Sequence, residues 1–168
     1  MSAEHDLSHG LPKAHPGKID FDTRWLSLIS RVLVGLTFGM AGYYKVFELG
    51  AMQHAEGLFV EPYADSWIPV FLLWSLGLAI PYLELIGGWL LVVGWQRRWV
   101  AVGFGLLLMI VTYGHLLVEP FYHLGDHVLP RLMLLIPTLM LGTKHDPWSV
   151  DGWLARQSLA GGRAGGLD

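Results

Sequence analysis

The 168-residue sequence contains no cysteine, which excludes disulfides, thiolate catalysis and cysteine-ligated metal centres within the chain. Charge is scarce too: only 15% of residues are Asp, Glu, Lys or Arg, against an apolar fraction of 53%. A soluble domain of this size normally carries more charge. The net charge of −3 offers no basic surface for nucleic acid. No Gly-rich phosphate loop, dinucleotide fingerprint or nucleophile triad is visible, so a self-sufficient enzyme is not expected. The first twenty residues also lack the basic-then-apolar pattern of a cleavable leader, so the first apolar segment is expected to be retained.

What is present is hydrophobic length. Mean hydropathy is +0.45, and there are eight tryptophans, a residue that gathers at membrane–water boundaries. A bilayer core about 30 Å thick needs about 20 apolar residues in a helix. Four segments approach that length: 25–44, 67–95, 99–118 and 128–142. The third is stopped by Glu119-Pro120, and the fourth is short and holds Pro130 and Pro137. None alternates with period two, and a lone strand could not satisfy its backbone in lipid. The expected fold class is therefore all-α: an integral membrane four-helix bundle. Residues 1–22 read as a flexible cytoplasmic arm, 23–156 as the membrane domain and 157–168 as a disordered tail. Within the domain, the stretch after Asp146-Pro147-Trp148 reads as a short interfacial helix.

Basic residues set the orientation. Lys13, Lys18 and Arg24 precede the first span, Arg97 and Arg98 join the second to the third, and Lys144, Arg156 and Arg163 follow the fourth. The opposite side carries Glu48, Glu56, Glu61, Asp65, Glu119 and Asp126, with only Lys45 and Arg131 near helix ends. Both termini are thus expected in the cytoplasm, in a bacterial or archaeal inner membrane.

Charged groups inside the spans are the candidate site residues. Glu84 lies deep in the second span, where an ionised carboxylate costs roughly 2.5 to 3.5 kcal/mol even on permissive scales. Pairing with Arg31 of the first span is the simplest resolution; proton exchange or contact with a bound ligand is the functional alternative. Pro81, one turn earlier, frees a backbone carbonyl for a partner or water. His115 and Glu119 share one side of the third span at i, i+4 spacing, and His123, Asp126 and His127 follow. No metal is favoured, His115, His123 and His127 being the lesser candidates, and haem is disfavoured for want of a second in-membrane His. Gly35, Gly39 and Gly42 form a small-residue stripe suited to close helix packing inside the bundle or to a subunit contact.

Three motifs carry a resemblance to a known family. The first span reads Arg31-x3-Gly35-x2-Phe38-x3-Gly42-x2-Lys45, and the second Glu84-x2-Gly87-Gly88-x2-Leu91-x2-Gly94 followed by Arg97. The third is LGTKHDPWSVD at 141–151. Together they resemble the DoxX/DoxD family of small four-helix membrane proteins, over about residues 25–153. The resemblance implies a membrane subunit of a respiratory or related redox complex that contributes to a quinone site. Arg31, Glu84, His115 and Glu119 would be its in-membrane polar contacts. Its partners would be lipid and either the other subunits of a membrane redox complex or further copies of itself. The alternatives are a quinone-reducing subunit of the thiosulfate:quinone oxidoreductase type, or a small transporter or channel. The long first loop and the His/Asp segment before the fourth span depart from the simplest family pattern.

Overall fold

The computed structural model describes residues 16–118, 125, 128–141 and 146–164, with side chains between 21 and 159. Among the described residues every regular element is helical. The order is α1 (Pro16–Tyr43), a π-helical turn (Tyr44–Glu48), α2 (Ala51–Ala55) and a second π-helical turn (Glu56–Val60). Then come α3 (Val70–Val93), α4 (Arg97–Val118), α5 (Leu129–Met140) and α6 (Val150–Ala164). α1 already begins at Pro16, and α6 continues through most of the segment expected to be a tail.

Among the described residues, three helices are long and apolar enough to cross a membrane: Phe21–Glu48, Val70–Val93 and Arg97–Val118. The expected fourth span is represented by α5, whose 12 residues extend only ~18 Å at 1.5 Å per residue. Large apolar side chains cover the outer surface, among them Leu83 and Ile86 of α3, Met109 of α4, and Met133 and Met140 of α5. A contiguous apolar exterior of this kind suits lipid and is foreign to a water-facing monomer.

The tightest contact is α1 on α3. Gly39 and Gly88 meet backbone to backbone, so that a methyl group on Gly88 would fall 2.2 Å from the Gly39 nitrogen. At Gly42 an added methyl would lie 2.3 Å from the Leu85 nitrogen. In lipid there is no hydrophobic drive between helices, and close backbone approach supplies the dispersion energy that holds them. The small-residue stripe therefore packs inside the bundle. Around this seam the core collects Val34 and Phe38 of α1, Ile80 and Leu91 of α3, Phe104 and Leu107 of α4, and Leu135 of α5. Phe38 and Phe104 stack with centroids 3.9 Å apart, and the Arg131 guanidinium sits 5.2 Å over the Phe38 ring.

The first connection differs from expectation. Rather than a polar loop, residues 44–60 fold into a compact helical cap over the end of the bundle where α1 finishes and α3 begins. The Cα of Ala55 lies where a Gly77 side chain would be, and the Tyr63 hydroxyl packs against Gly114 of α4.

Candidate polar site under the helical cap

Antiparallel packing of α1 on α3 decides which charges meet. With Gly39 against Gly88, moving toward the cap on α1 means moving toward the N-terminus of α3. Lys45, on the first π-helical turn, thus reaches Glu84, and the Nζ–Oε2 distance is 2.5 Å. Glu84 is fully buried, whereas the Lys45 side chain is 20% exposed. The expected Arg31–Glu84 pair does not form: each residue is bound elsewhere. Arg31 lies at the other end of α3, about four helical turns from Lys45 along α1.

His54 completes the cap-side cluster. Pro81 has no N–H, so the Gly77 carbonyl, four residues earlier, loses its helical donor. His54 Nδ1 replaces it at 2.8 Å. A carbonyl only accepts, so the proton is on Nδ1, and Nε2 is left as an acceptor in the neutral ring. Burial is the main effect on His54 and pushes its pKa below the ordinary value. The Gly77 bond opposes this, Lys45 reinforces it and Glu84 opposes it. Burial likewise raises the Tyr63 hydroxyl. The sequence reading identified the freed carbonyl but not its donor. The only signal was a histidine in a connection otherwise read as polar loop.

The opposite end holds a second cluster with a different character. Arg31 Nε donates to Asp146 Oδ2 at 2.6 Å, and Arg97 Nη1 donates to the same oxygen at 3.0 Å. Arg31 Nη1 also donates to the carbonyls of Leu91 and Val92 at 2.6 and 2.5 Å, in the last turn of α3, where Leu91 also accepts the Gly94 amide at 3.0 Å. Arg97 Nη1 contacts Ser27 Oγ at 3.3 Å, and its Nη2 donates to the Leu141 carbonyl. Asp151 caps α4 by accepting from the Gln96 and Arg97 amides at 2.9 Å each. Ser149 caps α6 by accepting from the Gly152 amide at 3.0 Å. Guanidinium groups do not deprotonate in proteins, so the two cations of this cluster keep their charge and clamp the Asp146 carboxylate between them. The cap-side cluster, by contrast, combines a carboxylate, an ammonium and an imidazole, all able to exchange protons.

Among the other expected site residues, His115 stands in the last turn of α4, partly exposed. Glu119, His123 and His127 lie outside the described residues. No group of three or more His, Asp or Glu able to hold a metal ion occurs among the described residues.

Against known proteins, a family model described as methylamine utilisation protein MauE matches residues 23–122. No curated protein matches, and no solved structure does. The match overturns the DoxX/DoxD resemblance and covers the first two motifs whole, but not the third. Both consist of glycines and single charges in apolar sequence. The structure shows what they serve: a glycine seam between α1 and α3 with an ion pair at each end. Such a seam can arise in any tightly packed membrane bundle, so the motifs report helix packing rather than that family.

Proposed function

Because the chain belongs to the family of the methylamine utilisation protein MauE, we propose that it is an integral membrane component of a methylamine utilisation system. It works there as a non-catalytic subunit beside redox partners in an inner membrane. The observation that carries this reading is the match over residues 23–122, which takes in α1 from Thr23 onward, the cap, α3 and α4. The three membrane-length helices and the lipid-suited exterior support placement in the bilayer.

The arrangement we favour has α5 and its flanks as a fourth, short span, with both termini cytoplasmic and the cap on the opposite side. The basic residues gathered at the terminus-proximal end support this orientation. The polar cluster of Lys45, Glu84 and His54 is then the chemistry the subunit contributes to its partners, facing the non-cytoplasmic side.

Deleting the gene in a methylamine-growing host and restoring it as wild type or Glu84→Gln tests both levels. Loss of methylamine-dependent growth on deletion, restored by wild type, supports the family role. Full rescue by Glu84→Gln would remove Glu84 from the working site.

A second reading is favoured by one feature. An apolar groove of about 440 Å³ runs between α3 and α4, lined by residues including Ile80, Leu83, Gly87, Phe104 and Leu107. Its dimensions and lining suit an isoprenoid chain, and a quinone would fit the redox setting. Quinone extracted in stoichiometric amount from protein purified in mild detergent supports this; protein free of quinone in native membranes rich in it counts against it.

A further inference from the structure

We propose that α6 lies along the membrane surface, and that the end of the bundle from which it leaves binds anionic phospholipid. This rests on the placement of the chain in a bilayer and is independent of the methylamine role. In the orientation favoured above, the leaflet concerned is the cytoplasmic one.

The first turn of α6 is fixed to the bundle, and the turns after it are bare. The Asp151 amide donates to the Gly94 carbonyl at 3.1 Å, while its carboxylate caps α4. Gly152 is buried so close to the Asp146 carbonyl that an added methyl would lie 2.4 Å from that oxygen. From Trp153 to Leu159, by contrast, every residue is exposed. A helix of 15 residues without packing is marginal in water. This one nevertheless exposes Trp153, Leu154 and Leu159, and Arg156 is the single charge of the stretch 153–159. An apolar helix with an arginine long enough to reach the headgroups fits the boundary of a bilayer.

The surroundings suit the same boundary. Trp25, Trp95, Trp99, Trp148 and Trp153, five of the eight tryptophans, are exposed at this end of the bundle. Trp25 and Trp148 meet with ring centroids 5.1 Å apart, joining α1 to the segment that leads into α6. Tryptophan gathered in this way marks the headgroup level. An apolar groove of about 590 Å³ opens between the end of α3 and the start of α6, lined by residues including Ile86, Trp89, Val93, Trp95 and Val150. Trp95 belongs to both groove and belt, so an acyl chain in the groove carries its headgroup at the belt. The exposed charges described at this end are Arg24, Arg98 and Arg156, against Asp22. Asp146 and Asp151 are already engaged by guanidinium and amide donors. The groove thus selects a lipid chain, and the surplus of arginine selects a headgroup that is net negative.

Two measurements on the full-length protein test this. In the first, native mass spectrometry in mild detergent counts lipids retained from equal amounts of phosphatidylglycerol and phosphatidylcholine. The wild type should prefer phosphatidylglycerol on the order of tenfold. Raising the ionic strength from about 0.1 M to about 1 M shortens the Debye length from about 10 to about 3 Å and should remove most of that preference. Arg24→Gln/Arg98→Gln/Arg156→Gln should remove it at low salt as well, and Val93→Trp, which fills the groove, should lower retention of both lipids. In the second, Leu154→Cys carries a single spin label, because the chain has no cysteine of its own. Leu154 stands one turn beyond the groove-lining Val150. In vesicles of the same two lipids its label should be reached by dissolved oxygen and shielded from a water-soluble nickel chelate. Equal retention of the two lipids by the wild type, or a preference indifferent to salt, overturns the headgroup assignment. Retention by Val93→Trp equal to wild type overturns the groove, and a label open to the chelate overturns the placement of α6. Release of the whole protein from vesicles by alkaline carbonate overturns the bilayer placement itself. Growth on methylamine enters none of these readouts, so failure here and failure of the family role are told apart.

Discussion

Asp146 places a single carboxylate oxygen, Oδ2, 2.6 Å from Arg31 Nε and 3.0 Å from Arg97 Nη1, joining residues 115 and 49 positions apart. Its other oxygen, Oδ1, has no hydrogen-bond partner among the described residues. Two cations therefore share one anion in a fully buried setting. The three elements they hold are the start of the membrane portion of α1, the N-terminus of α4 and the segment leading into α6.

Removing the shared anion is more damaging than removing either cation. Asp146→Asn leaves two buried guanidinium groups without a counter-charge, whereas Arg31→Met leaves a balanced Arg97–Asp146 pair. Asp146→Asn is expected to cost about 3–5 kcal/mol, and Arg31→Met distinctly less. Thermal unfolding in detergent checks the order, and Asp146→Asn combined with Arg31→Met should recover part of the loss.

The glycine seam gives a contrast within one helix. Gly42→Ala places a methyl 2.3 Å from a backbone nitrogen and cannot be absorbed by side-chain motion, while Gly39→Ala meets nothing closer than 3.7 Å. Gly42→Ala should destabilise by roughly 1–3 kcal/mol or more, with Gly39→Ala near neutral. Unfolding midpoints of the two single variants decide this. Equal losses would mean that α1 and α3 approach in another register.

His54 makes stability depend on pH in a defined direction. Its folded pKa lies below the unfolded value of 6.5, so between the two the unfolded chain binds more protons. The contribution of His54 is therefore full above pH 6.5. It declines as pH falls through 6.5 and levels off below the folded value. His54→Gln should flatten this part of the stability–pH curve, and His54→Leu should flatten it and cost about 1–3 kcal/mol from the abandoned Gly77 carbonyl. Cap proteolysis rates across the same pH range report the effect locally.

At the junction of α3 and α4, Gly94 takes φ 79° and Gln96 φ 47°. A side chain on Gly94 would be strained by its backbone and would also meet Ser149 Cβ at 2.5 Å. Gly94→Ala should destabilise by more than 1 kcal/mol, at about the left-handed backbone cost. Gln96→Gly should be neutral or mildly stabilising. Chemical denaturation of both variants checks the pair of signs.

The membrane helices were legible because apolar length is a local property. The expected span ending at Tyr44 matches a helix that turns into the π-helical segment after Tyr43, and the expected span 99–118 is helical throughout. The pairing of charges was not legible, because it depends on how α1 and α3 slide past each other. One helical turn of slip would bring a different residue to Glu84, and the glycines that set the slip contribute no charge pattern. Asp146 lay in a segment read as a family motif, so its role as the partner of Arg31 went unseen. The cap was missed for a related reason. Its two π-helical turns and five-residue α2 carry no sustained 3.6 period, and they are held by contacts with Gly77 and Gly114 far along the chain.

Pro81 has a consequence beyond its own helix. By withholding one hydrogen from α3 it creates a vacancy that only a donor from the cap fills, so positions 54 and 81 form one unit of inheritance. A lineage that trades proline at 81 for a residue with an amide hydrogen frees His54 to vary and loosens the cap. One that loses the donor at 54 while keeping the proline strands a carbonyl in hydrocarbon. Across relatives these two positions should therefore change together, and the cap should keep its helical form only where both remain.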